Sequence, residues 1–255
     1  MKIRVLGASG SGASGYKSSA LLLDGFMLLD AGTAAGELSV REEERLRYTL
    51  LTHAHMDHVK GLLFLLENRA GREYTAPLAV MSGKEILGDL RKHIFNNRIW
   101  PDFSRIPSPK TPLLSFKTLT AARKLRLDGY TIFMERVNHT VPTYGYIVES
   151  PAKKALAYTG DTGPTDLFWT RMDKFDVKAL VTETSFPNRL EGLATATGHL
   201  TPAMLEKELR KLSRPPEQIL VMHLKPRFER DIRAELRALR RKGLRILESG
   251  ERFSL

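Results

Sequence analysis

The sequence predicts a layered α/β (α+β) fold, sheets inside and helices outside, in a single domain over residues 1–255. Three observations carry this expectation. Short strand-like runs outnumber helical ones in both halves, helical segments recur between groups of strands, and no linker, low-complexity segment or repeat interrupts the chain. Hydrophobic residues make up 42% of the chain and charged residues 27%, a globular balance able to bury a core.

Lys2–Leu6 reads as a strand leading into Gly7-Ala8-Ser9-Gly10-Ser11-Gly12-Ala13-Ser14-Gly15, a loop whose backbone can approach a ligand closely. It lacks the lysine and spacing of a P-loop. A plain turn and a phosphate-holding loop using Ser9 and Ser11 both fit it. Ser19–Leu23 and Phe26–Leu29 flank Asp24-Gly25, a hairpin signal. Asp30 ends the second of these strands, either as a turn former or as a brace for the histidine-rich loop beyond. Arg41–Arg47 reads as an exposed charged helix, and Leu62, Leu63, Leu65 and Leu66 give a second helix its apolar face up to about Asn68.

Pro77–Met81 is strand-like, and Ser82-Gly83 opens a helix toward His93, a surface residue. Asn97–Ser115 carries Pro101, Pro107, Pro109 and Pro112, which preclude a regular helix or central strand. Its Trp100 and Phe103 either pin the loop to the core or form a lid that stacks on a base. Lys124–Leu127 and Thr131–Arg136 flank a second Asp-Gly turn at residues 128–129, and Tyr144–Glu149 pairs with Lys154–Thr159. Leu180–Thr184 and Ile219–Met222 are further strands. Between them Thr201-Pro202 caps and opens a helix with Leu205, Leu209 and Leu212 on one face. Glu229–Lys242 forms the last helix, its arginines mostly outward, and the strand Leu244–Glu248 closes the chain.

Composition excludes several classes. Cysteine is absent, so any metal must be held by nitrogen and oxygen, and a disulfide scaffold is ruled out. No apolar run approaches the roughly 18 residues of a membrane span, and Met1–Gly7 turns to glycine and serine too early for a signal peptide. The expectation is a cytoplasmic protein without membrane contact. A net charge of +11 favours anionic partners without separating nucleic acid from a small phosphate ester.

The densest chemistry lies in Thr52-His53-Ala54-His55-Met56-Asp57-His58. Imidazole suits zinc, iron and related metals, and carboxylate adds a hard ligand. His53 and His55, two apart on extended chain, point the same way, while Asp57 and His58 diverge at the turn into a helix. One loop can therefore present two metal half-sites. His139, Asp161, Glu183 and His223 fall at later strand ends.

The order H-x-H-x-D-H, then a lone His, an Asp and a final His, spans Asp30 to His223 and resembles the metallo-β-lactamase-fold hydrolases. The resemblance implies a four-layer αββα sandwich with two divalent ions at one edge. One ion would take His53, His55 and His139, and the other Asp57, His58 and His223, with Asp161 bridging. Zinc, manganese and iron all accept such donors, and a water acidified between the ions would attack phosphorus. Missing cysteine makes penicillin hydrolysis unexpected. Thr182–Phe186 and Gly198–Pro202 resemble the acid and histidine motifs of phosphodiesterase branches. That likeness implies Glu183 orienting His199 as proton donor to the leaving oxygen, with Asp57, Glu183 and His199 as the catalytic side chains.

Two branches compete. Transfer RNA 3′-processing endonucleases usually insert an RNA-gripping arm between the lone His and the bridging Asp, whereas here residues 140–160 hold only two strands and a tight turn. His53–Leu62 is similar to the signature of class II 3′,5′-cyclic nucleotide phosphodiesterases, with Met56 where leucine is usual. Ile99–Phe103, Val137–Tyr146 and Ser185–Arg189 resemble the same branch. The resemblance thus implies hydrolysis of cyclic AMP or cyclic GMP to the 5′-monophosphate. The partner would be a small cyclic nucleotide rather than nucleic acid, and related enzymes are commonly homodimers. The alternatives are an RNA or oligonucleotide phosphodiesterase and, outside catalysis, a nucleotide- or nucleic-acid-binding protein with a structural metal site.

Overall fold

The structure, a computed structural model, describes every residue except 73 and 75. In chain order the strands are β1 (Lys2–Gly7), β2 (Ala20–Leu23), β3 (Met27–Leu29), β4 (Tyr48–Leu50), β5 (Leu78–Ser82), β6 (Pro107–Ser108), β7 (Thr111–Pro112) and β8 (Leu114–Thr118). They continue with β9 (Lys124–Leu127), β10 (Tyr130–Arg136), β11 (Tyr144–Glu149), β12 (Ala155–Tyr158), β13 (Val177–Glu183), β14 (Gln218–Met222), β15 (Leu244–Ile246) and β16 (Arg252–Ser254). Two seven-stranded sheets result, ordered β16-β1-β2-β3-β4-β5-β8 and β15-β14-β13-β12-β11-β10-β9. Each is half antiparallel and half parallel. In the first, β3, β4, β5 and β8 run parallel, and in the second β12 to β15 do.

Side-chain alternation turns these sheets into a sandwich. Along β2, Leu21 and Leu23 face the layer between the sheets, while Ala20 and Leu22 face the helix side. The inter-sheet layer joins Ile3, Val5, Leu29 and Leu50 to Met134, Tyr146, Tyr158 and Val181 of the opposite sheet. Outside the first sheet, the helix Met56–Arg69 buries Val59, Leu62, Leu63, Leu65 and Leu66. Outside the second sheet lie the helices Leu167–Met172, Pro202–Leu209 and Glu229–Ala238, contributing Phe168, Trp169, Leu205, Ile232 and Leu236. Four layers, αββα, enclose three apolar seams. Among the described residues no helix is long and apolar enough to cross a membrane.

Local chemistry explains the connections. Asp24 and Gly25 have φ of 46° and 77°, and Asp128 and Gly129 have 49° and 84°, so both Asp-Gly pairs make left-handed hairpin turns. Thr201 accepts a hydrogen bond from Met204 N at 3.3 Å, and Pro202 occupies the first helical turn without a donor to lose. Three expectations need correction. The irregular stretch beyond Asn97 folds into the β6–β7 hairpin and passes directly into β8, which pairs in parallel with β5. The last helix ends at Ala238 rather than Lys242. The chain closes not at β15 but with β16, which returns to pair with β1.

One carboxylate ties the two sheets together. Asp30, at the end of β3 with φ 55°, is fully buried. It accepts from Thr52 N at 2.8 Å, Thr52 Oγ1 at 2.9 Å and His58 Nδ1 at 2.7 Å. From the opposite sheet Tyr158 donates its hydroxyl at 2.7 Å. Burial and the Asp30 charge push the Tyr158 phenol well above its ordinary pKa, so it stays a donor. Asp30→Ala should strand these donors in a dry interior and destabilise the fold by about 3–5 kcal/mol, with Asp30→Asn costing less. Urea denaturation checks this, and an Asp30→Ala midpoint equal to that of the wild type would refute it.

Candidate metal centre

The histidine-rich segment begins two residues beyond β4 and enters the helix Met56–Arg69 with His55 as its N-cap. His53 is fully buried, and its Nδ1 lies 3.0 Å from Thr52 Oγ1, which turns Nε2 inward. Asp57 and His58 occupy the first helical turn. With His58 Nδ1 held by Asp30, its Nε2 lies 3.2 Å from Asp161 Oδ1. His139 follows β10 and directs Nδ1 to Gly198 O at 2.8 Å, leaving Nε2 3.4 Å from His55 Nδ1. Asp161 follows β12 through Gly160, whose φ of 62° and missing side chain let the turn press on Thr52. His223 follows β14 in a left-handed conformation, φ 65°, and sets Nε2 3.3 Å from Asp57 Oδ2 and 3.3 Å from Asp161 Oδ1.

The donors fall into sets whose ligating atoms all lie within 4.8 Å of one another. His53, His55, His139 and Asp161 make one set, and Asp57, His58 and His223 another. Asp161 also groups with His199 and His223, so it stands between the two. A cation fits this arrangement. His53 Nε2 and Asp161 Oδ1 are buried without a hydrogen bond, and they face one another's neighbours across the cluster. Burial lowers the pKa of His53, His55 and His139, giving the neutral imidazoles that metals bind. Burial opposes the Asp57 charge, but the His223 hydrogen bond and the His58 charge outweigh it and hold the carboxyl below its usual range. Burial likewise opposes ionisation of Asp161, and the surrounding histidines, His223 and His58 foremost, keep it ionised.

Beside the cluster stands a second pair. His199 Nδ1 is 2.6 Å from Glu183 Oε1, and burial, which would strip the imidazole proton, is outweighed by the Glu183 charge, so the His199 pKa rises. Glu183 ends β13 and also accepts from Thr162 N at 3.1 Å and Ser185 Oγ at 2.8 Å. Ser185 Oγ lies 2.9 Å from His223 Nδ1 and so links this pair to the metal-binding set. Sequence reasoning passed over Ser185, Thr52 and Tyr158. Ser185 and Thr52 carried a signal, their places inside the Thr182–Phe186 and Thr52–His58 motifs, and Tyr158 carried none.

Of the remaining candidates, the two aromatics pack on the helix side of the first sheet, whereas the serine loop runs beside His223. Phe103 is a core residue beneath the helix layer, and Trp100 stacks edge-on against Phe64 with ring centroids 5.4 Å apart. Both rings thus pack with the apolar residues on the helix side of the first sheet. Ser9 is buried, with its hydroxyl 3.4 Å from Leu224 O, and Ser11 O accepts from Ser18 Oγ. Gly10, however, packs directly on the His223 ring.

Comparison with known proteins agrees with this geometry. A family model described as a β-lactamase superfamily domain matches residues 26–224. The chain is 27% identical over 202 residues to a protein of Yersinia pestis named "Probable 3′,5′-cyclic-nucleotide phosphodiesterase", covering 70% of this chain and 57% of that one. It therefore spans little more than half the length of that relative. Among solved structures, unliganded yeast PDE1 superposes with a TM-score of 0.84 at 19% identity, covering 100% of this chain and 99% of the other. The short form of human tRNase Z superposes with a TM-score of 0.74 at 17% identity, covering 100% and 99%. At these identities the structural likeness speaks for the fold. With the family model spanning most of its length, the chain belongs to the β-lactamase superfamily and has the metallo-β-lactamase fold.

Proposed function

We propose that the chain is a metal-dependent phosphodiesterase that hydrolyses a 3′,5′-cyclic nucleotide to the nucleoside 5′-monophosphate. The observation that carries this reading is the Glu183–His199 pair set against a cluster of seven metal-type donors. His53, His55 and His139 would hold one divalent ion, Asp57, His58 and His223 a second, and Asp161 would reach both. Bound there, zinc, manganese or iron supplies Lewis acidity toward phosphoryl oxygens and acidifies water.

The chain's own residues supply the rest. His199, whose pKa Glu183 raises by stabilising the cation, keeps Nδ1 on Glu183 and offers Nε2 to the leaving oxygen. Thr162 N and Ser185 hold Glu183 in place, so proton donation needs no rearrangement of the acid. Between His139 and Asp161 the chain forms only β11, β12 and their tight turn, which leaves no arm to grip a transfer RNA. The name of the Yersinia pestis relative supports the cyclic nucleotide, and the likeness to human tRNase Z keeps RNA as the competing substrate.

Metal content tests the centre. Elemental analysis should find about two metals per chain, and Asp161→Ala should abolish turnover and weaken occupancy of at least one site. Full activity with a single metal would sink the two-ion reading.

His199→Ala should retain metal and lower kcat by roughly 10²–10⁴-fold. The deficit should shrink for a nitrophenolate leaving group, which needs little protonation. Since the His199 pKa is raised, the rate should hold at lower pH and fall as pH climbs through it. Equal losses on good and poor leaving groups would make His199 a positioning residue.

Substrate class separates the readings through salt. Cyclic AMP or cyclic GMP, with a single phosphate charge, should show a KM nearly independent of salt. A single-stranded RNA loses roughly 0.7 log units of affinity per phosphate contact per log unit of salt. Efficient, steeply salt-dependent cleavage of a transfer RNA precursor without cyclic nucleotide turnover would overturn the proposal.

A further inference from the structure

The hydroxyl of Ser185 has one proton to give and four polar groups around it. Glu183 Oε2 lies at 2.8 Å, His223 Nδ1 at 2.9 Å, His223 O at 3.2 Å and His199 Nδ1 at 3.3 Å. Ser185, Glu183, His199 and His223 are all buried, so these groups must satisfy one another. His199 Nδ1 is not an acceptor here, because it donates to Glu183 Oε1 at 2.6 Å. Of the rest, the carboxylate is both nearest and charged, and charge-assisted hydrogen bonds are roughly twice as strong as neutral ones. Among the described residues Ser185 is also the one hydrogen-bond partner of Oε2, since Thr162 N and His199 both use Oε1. The Ser185 proton goes to Glu183.

That choice fixes the neighbouring imidazole. The lone pairs of Ser185 Oγ face His223 Nδ1, which can approach to 2.9 Å only as an N–H donor. Gly10 packs against the same ring edge, where an added Cβ would come within 2.8 Å of Nδ1, and no second hydrogen-bond partner reaches that atom among the described residues. With the proton on Nδ1, the Nε2 lone pair points between Asp57 Oδ2 and Asp161 Oδ1, 3.3 Å from each. This is the imidazole form that a metal takes. The opposite tautomer would set lone pair against lone pair at Ser185 or strip Glu183 Oε2 of its donor. The other ligating histidines are held by separate groups: His58 by Asp30, His139 by Gly198 O and His53 by Thr52. Only the group that holds His223 also holds Glu183.

We propose that Ser185 is a positioning residue that keeps His223 in its Nδ1–H tautomer and so sustains the ion site of Asp57, His58 and His223 selectively. This rests on the two-ion part of the reading above and not on its substrate. The hydrogen bonds then run in one direction, from His223 Nδ1–H to Ser185 and from Ser185 Oγ–H to Glu183. Removing the hydroxyl should loosen one ion and spare the other, whose histidines keep their own partners.

Chelator competition on the zinc-loaded full chain, read together with histidine nitrogen NMR, tests this without turnover. Ser185→Ala should release one zinc about 10–100-fold more readily, the scale for losing a group that orients a ligating histidine. The His223 resonances should move as that ion leaves, and the other zinc should keep its wild-type affinity. In the zinc-loaded wild type His223 should carry its proton on Nδ1, and that proton should exchange faster in the variant. If Ser185→Ala does not fold, Ser185→Cys, a weaker donor and acceptor, should loosen the same ion. Unchanged affinity for both ions in a folded variant, equal loosening of both, or a His223 proton on Nε2 in the zinc-loaded wild type overturns the proposal. A wild type that holds a single zinc removes the two-ion reading and this proposal with it. Failure to hydrolyse cyclic nucleotides removes only the substrate.

Discussion

The buried carboxylate of Asp30 is the constraint on which the rest of the centre depends. A charge inside a protein is tolerated only when its acceptor capacity is filled, and here backbone, hydroxyl, phenol and imidazole donors fill it. The geometric consequences outweigh the electrostatic one. Tyr158 anchors the second sheet to the end of the first, so the layer between them is locked where the donors emerge. His58 is fixed with its second nitrogen inward, and Thr52, held by the same carboxylate, fixes His53 in turn. Two imidazoles from different donor sets therefore take their orientation from one group.

Around that anchor the charges sort by position. The first donor set is kept as neutral imidazole by burial, while Asp57 and Asp161 stay ionised among histidines. Glu183 and His199 form a second buried polar pair, and Ser185 connects them to the far nitrogen of His223. Proton-handling and ion-binding groups are thus coupled through a single hydroxyl, and neither can tilt without disturbing the other.

How much of this the sequence revealed follows from the range of each interaction. The H-x-H-x-D-H segment was legible because strand alternation and a helix start act over a few residues. The Asp-Gly hairpins were legible because their turn demands φ > 0. Thr52, Tyr158 and Ser185 were not, because their roles exist only through partners brought close by the sandwich. Tyr158 and Asp30 are 128 residues apart in sequence. Trp100 and Phe103 illustrate an ambiguity that composition cannot resolve, since an aromatic ring in a proline-rich loop can face either the core or a ligand. β8 escaped notice because it starts two residues after Pro112, and β16 because it is three residues long and lies within the last four.

In the second sheet Asp161, Glu183 and His223 all sit at or just past the carboxyl ends of β12, β13 and β14, three adjacent parallel strands. Their mutual spacing is therefore inherited from the hydrogen-bond ladder, in which neighbouring strands lie roughly 4.8 Å apart. The crossover from β13 to β14 also brings His199 and Ser185 to that edge, where Glu183 holds both, so part of this connection shares the precision. Such a scaffold can lengthen, shorten or exchange the parts of its crossovers remote from His199 and Ser185 without moving the reactive groups. New binding surfaces can then be grafted around an unchanged chemical core, which lets one architecture diversify its ligands while keeping its reaction.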